Sequence, residues 1–118
     1  MADQPEFDVA AAHRYFATQC YNDAFDLIDK RDRSADDDAR MLHLSMSSLW
    51  HWTQRADCTS TNLSIGYWQV ARIYALLGQP DNARRDGLRC CCNCSAARRS
   101  CPGGTSSVDT CGCPISAA

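Results

Sequence analysis

Residues 62–89 read NLSIGYWQVARIYALLGQPDNARRDGLR, and this run carries the clearest pattern in the chain. Leu63, Tyr67, Val70, Ala71, Tyr74 and Leu77 fall at i, i+4, i+7, i+8, i+11 and i+14. That spacing puts all six on one side of a 3.6-residue helix. Ile65, Trp68, Ile73 and Leu76 make a second apolar stripe. A helix apolar on two faces needs neighbours on both, so the run is expected inside a stack of helices. Asn62 is the expected N-cap. Gly78 supplies the left-handed residue that ends the helix, while Pro80 and Asp81 suit the first turn of the next one.

Working outward, the chain divides by composition. All aromatic residues and nearly all Leu, Ile and Met lie in residues 1–89, whereas residues 90–118 hold only Val108 and Ile115 as large aliphatics. At 118 residues the chain is a single domain at most, and the last 29 residues cannot build a core. The expected organisation is a helical domain over residues 1–89 and an unstructured Cys-rich tail over 90–118.

In residues 1–89 the periodicity predicts five helices. The first runs from Phe7 to Cys20 with Ala11, Ala12, Tyr15, Phe16 and Cys20 inward, and the second from Asn22 or Asp23 to about Lys30. The third follows Ser34, where Asp37 completes a capping box and the acidic run to Asp38 favours the positive helix end. Ala39, Leu42, Met46, Leu49 and Thr53 form its stripe, widened by Met41, Leu44, Trp50 and Trp52. Residues 55–61 form a polar turn, and the helices on either side of Gly78 complete the set. Helices joined by such short turns pack antiparallel.

Tyr67, Ala71, Tyr74, Gly78 and Ala83 stand at the large, small, aromatic, glycine and alanine positions of a tetratricopeptide repeat, and the region resembles that family. Ala12, Tyr15 and Ala24 form a weaker second copy, with Gln19 in place of the glycine. Gly87 and Ser95 depart from the family pattern, which has a large residue and a proline there. The resemblance, which extends to uncharacterised bacterial proteins of this kind, implies an all-α stack of antiparallel helix hairpins. It also implies a non-enzymatic module that binds a protein or peptide on its concave surface. The first helix of each hairpin would line that surface, so His13, Arg14, Gln69 and Arg72 are candidate contacts, with His43 and Ser47 added if the middle helix plays the same part. With no further helix to cover it, the stripe Ile65, Trp68, Ile73 and Leu76 is expected to drive self-association into a homo-oligomer.

Other functions find less support. The formal net charge is −2, with 10 basic and 13 acidic groups in residues 1–89, so no basic face for nucleic acid is expected. No run of 18 apolar residues and no leader-like start occur, which points to a cytoplasmic protein and no membrane partner. Phosphate loops, GxSxG and HExxH are absent. No cofactor is implied.

Seven of the nine cysteines lie in the tail. Cys90, Cys91, Cys92 and Cys94, followed by Cys101, Cys111 and Cys113, offer thiolates to Zn²⁺ or Cu⁺, although two CxxC knuckles of a structural zinc site are missing. This metal- or thiol-binding role is the alternative function. A disulfide framework is a further reading, disfavoured in the cytosol. The same composition also matches out-of-frame translation of a GC-rich gene. His43 and His51 lie two turns apart on one helix with Cys58 in the following loop, a weaker zinc candidate. Cys20 and Cys58 are weak candidates for nucleophiles.

Overall fold

The computed structural model describes the backbone of residues 4–100 and the side chains of residues 4–94. The described residues form four α-helices and no strand: α1 (Val9–Asp29), α2 (Ala35–Thr53), α3 (Ser60–Leu76) and α4 (Pro80–Ser100). Helix α1 packs on α2 and α3 packs on α4, with α2 against α3 joining the two pairs.

The expected first and second helices are one. Residues 19–22, Gln-Cys-Tyr-Asn, contain neither glycine nor proline, and Gln19 Nε2 donates to Asp23 Oδ1 at 2.9 Å across the expected break. Ala17, Ala24 and Ile28 follow one another down a single buried stripe of α1. Tyr15, which the second repeat copy would put in a gap between helices, is 58% exposed. The helix count is therefore four rather than five, and the partner that α1 turns back to meet is α2.

The turn between α1 and α2 is built by Arg33. Its Nη1 donates to the Ile28 and Lys30 carbonyls at 3.1 and 3.0 Å, closing the open end of α1, while Nε pairs with Asp38 at 2.9 Å in the first turn of α2. A cation at one helix end and a carboxylate at the next helix start each complement a dipole. The capping box at Ser34 and Asp37 forms as expected. In α3 the cap is Thr59, three residues before its expected place. Asn62 closes the box instead, accepting from the Thr59 amide at 2.9 Å.

Gly78 ends α3 with φ 73°. The Gln79 amide then reaches the Tyr74 carbonyl at 2.9 Å and the Gly78 amide the Ala75 carbonyl at 3.1 Å, the paired bonds of a Schellman ending. Helix α4 runs from Pro80 through the cysteines to Ser100, so the expected division at residues 89 and 90 falls inside a helix.

Two apolar clusters make the core. Ile28, Met41 and Ile73 join α1, α2 and α3, and Val70, Tyr74 and Ala83 join α3 to α4; Leu42 packs against both. The fully buried Ala71 sits beside them on α3, as the repeat-like pattern expects of a small residue. Ile73 is thus interior, and the expected self-association stripe is broken. Only Ile65 and Leu76 of that set are exposed, both at 45%, while Trp68 lies part-buried with its ring 5.9 Å from Phe25.

Between these clusters lies a polar seam. Met41, Ser45 and Ser48 are the buried residues of α2, whereas Ala39, Met46 and Thr53 of the expected stripe face outward. Ser48 Oγ donates to the Ala17 carbonyl at 2.6 Å, and Ser45 Oγ donates to Gln69 Oε1 at 2.7 Å. Gln69 Nε2 in turn donates to the Tyr21 carbonyl at 3.0 Å. Small hydroxyl side chains let α1 and α2 approach, and every polar group they bury finds a partner.

Candidate functional site

The expected contact residues do not form one surface. Gln69 is fully buried and is occupied by Ser45 and Tyr21, so it is structural and unavailable to a partner. The family analogy put it on a binding surface, but position 69 falls on the side of α3 that packs against α1 and α2. His13 faces α2, where its Nδ1 lies 2.8 Å from His51 Nδ1, one ring donating and the other accepting. Burial, and then the neighbouring His13, hold the His51 imidazole below its ordinary pKa. Arg72 lies with its guanidinium 5.6 Å from the Trp68 ring. Arg14, His43 and Ser47 are exposed on α1 and α2.

The His43, His51 and Cys58 grouping does not assemble, because His51 turns to α1 while His43 is exposed. Among the described residues, no three His, Cys, Asp or Glu side chains converge. Cys90, Cys91, Cys92 and Cys94 illustrate why. Consecutive residues on a helix diverge by about 100°, so Cys90 is buried against α3 while Cys92 is exposed. The Ser64 hydroxyl lies 3.4 Å from Cys90 Sγ and 2.7 Å from Cys94 Sγ. Cys101, Cys111 and Cys113 lie outside the described residues. Burial and the Asp23 carboxylate push the Cys20 thiol up; burial and Asp57 do the same to Cys58. Both thiols keep their protons more firmly than a free cysteine, which is the wrong direction for a nucleophile.

Among the described residues, two concave features bear on function. The first is a cleft of about 200 Å³ between α1 and α3, closed at one side by the end of α2. Tyr21 and Trp52 give it aromatic faces, Ile65 an aliphatic one, and Asn22 and Asn62 two carboxamides. Gly66 forms part of its wall, at the closest approach of α2 and α3: a Cβ there would sit 2.7 Å from Leu49 Cδ1. Trp52 is held from behind by the Arg55 guanidinium, 3.9 Å from its ring, and Arg55 is fixed in turn by two bonds to Asp57 at 2.8 and 2.7 Å. No Asp, Glu, Lys, Arg or His lines this cleft, so it suits an uncharged group with apolar bulk and amide hydrogen bonds.

The second is a groove of about 230 Å³ between α2 and α4, floored by Tyr67 and Val70 of α3. Met46, Leu49 and Trp50 make its apolar wall, and Trp50 is 55% exposed. Arg85, Asp86 and Arg89 make the opposite wall. Neither feature is legible along the chain, because each is assembled from three helices.

Compared with protein-family models, with curated proteins and with solved structures, the chain matches none. Among the described residues, no helix is long and apolar enough to cross a membrane.

Proposed function

We propose that this chain is a non-enzymatic helical interaction module of tetratricopeptide-like build, with α1–α2 and α3–α4 as two antiparallel hairpins. Its partner is a segment of another protein, bound in the cleft between α1 and α3. One observation carries this reading: the first helix of each hairpin lines the same cleft, and its walls combine aromatic faces with carboxamides and no formal charge. Aromatic rings with two torsions give contact area at low entropic cost; the Asn22 carboxamide can pair with both the donor and the acceptor of a peptide unit, and Asn62, whose oxygen is held by the capping box, offers its N–H donors. The packing of Tyr74 on Ala83 between α3 and α4, beside a fully buried Ala71 on α3, supports the family analogy.

The test is selection of a random peptide library on the full chain under reductant, followed by the Ile65→Arg variant. Ile65 is half exposed at the cleft, so arginine is tolerated by the fold while it blocks the site. The expected result is a convergent set of apolar, uncharged peptides that lose binding to Ile65→Arg at an unchanged thermal midpoint. Failure to converge, or equal binding by the variant, refutes the proposal.

A further inference from the structure

The groove between α2 and α4 has a chemistry the first cleft lacks. Asp86 is buried, 3% exposed, yet carries a carboxylate. One oxygen accepts from Arg85 Nη2 at 3.2 Å and the other from Arg89 Nη1 at 3.3 Å. The two guanidinium groups are about half exposed, at 49% and 55%, and each also lies over a tyrosine: Arg85 5.9 Å from the Tyr74 ring and Arg89 5.8 Å from the Tyr67 ring. One anion therefore holds two cations, and the wall keeps a net charge of +1. Each guanidinium has five N–H donors and Asp86 takes one from each, which leaves most of both forks for a second acceptor.

Arginines four residues apart on one helix face repel, so left alone they would splay. Asp86 and the tyrosine faces fix them side by side, and the rotamer entropy that a ligand would otherwise have to remove is already lost. Opposite them stand Met46, Leu49 and Trp50, with Val70 beneath. The groove thus offers an apolar wall facing a pair of carboxylate binders held by Asp86.

We infer that this groove is a second docking site, for a peptide segment that presents an apolar side chain next to an aspartate or glutamate. The apolar side chain enters between Trp50 and Val70, and the carboxylate bridges Arg85 and Arg89. Charge complementarity selects this occupant. A net charge of +1 in the groove and −2 on the whole chain is too little to hold a nucleic-acid backbone, but it matches one carboxylate. Asp86 acts as a positioning residue: it lies in the same wall but is only 3% exposed, and both its oxygens are taken up by the arginines it holds.

The inference does not depend on the α1–α3 cleft, and the experiment separates the two. Short blocked peptides alternating leucine with aspartate, and their asparagine and lysine counterparts, are titrated into the full chain under reductant. Arginine Nε–H and tryptophan indole resonances are followed by NMR. The aspartate peptide is expected to move Arg85, Arg89 and Trp50. The asparagine peptide should bind about tenfold more weakly or worse, because a charge-assisted bond is lost. Arg89→Glu should reverse the preference toward lysine, Arg85→Lys should weaken it without reversal, and Ile65→Arg should leave it intact. Equal binding of the three peptides overturns the inference, as does an unchanged preference in Arg89→Glu. A shift confined to the Trp52 indole overturns it too, while supporting the uncharged cleft. Tighter binding of a single-stranded oligonucleotide than of the aspartate peptide also overturns it. Shift mapping on the parent chain keeps the test decisive if a variant fails to fold.

Discussion

Gln69 links three helices through two side-chain bonds, and replacing it with methionine tests whether that link holds the two helix pairs together. Methionine is unbranched and similar in size, so the cavity contribution is small and the loss is mainly polar. Ser45 is 1% exposed, and its hydroxyl would lose the Gln69 acceptor at 2.7 Å. A stranded buried donor costs about 1–3 kcal/mol. The Tyr21 carbonyl keeps its own helical bond and loses only a second one, so it adds little. The expected destabilisation is about 2 kcal/mol, a large share of the roughly 5–15 kcal/mol available to a small domain. Ser45→Ala alone should cost a similar amount by stranding Gln69 Oε1. The double variant Gln69→Met, Ser45→Ala removes both partners, and replacing both with apolar groups can be nearly neutral. It should therefore be about 1–2 kcal/mol more stable than the sum of the single variants requires. Urea unfolding followed by circular dichroism, under reductant and with an unchanged slope, measures all four proteins. A Gln69→Met single variant within about 0.5 kcal/mol of the parent, or strict additivity in the double, would refute the argument.

Two further predictions concern the helix ends. Gly78→Ala should lose about 1 kcal/mol, read as a lower urea midpoint: φ is 73° and no atom lies within 4 Å of an added Cβ, so the backbone alone sets the cost. An effect as small as that of an ordinary exposed substitution would show that the turn adapts. For Asp37, the Lys30 ammonium and the Ser34 cap hold the carboxyl at about 2, below its ordinary 3.8. A depressed acid stabilises the fold above its unfolded pKa, so this contribution is complete above about pH 5 and disappears as pH falls through 4 toward 2. Asp37→Asn should flatten that part of the stability profile, and an unaltered profile would assign the acid sensitivity elsewhere.

The start of α2 and the turn from α3 into α4 were legible in the chain because local chemistry dictates them. Gly78 has to supply the left-handed residue, Ser34 and Asp37 cap one another over three residues, and Tyr74 and Ala83 meet where their spacing puts them. The continuity of α1 was not legible, since a helix that crosses Gln19 to Asn22 differs from two short ones only through the stripe Ala17, Ala24 and Ile28 that α2 covers. The burial of Ser45, Ser48 and Gln69 was not legible either. A hydroxyl or amide reads as surface until another helix supplies the partner that makes its burial affordable, and those partners lie 24, 31 and 48 residues away. Ile73 shows the converse, because an apolar stripe looks unpartnered until Ile28 and Met41 arrive from two other helices. The His13–His51 pair and both concave features belong to the same class. Spacing along one helix defines which residues share a face, but which faces meet depends on tertiary packing, and a binding site made by three helices exists only after that packing is complete.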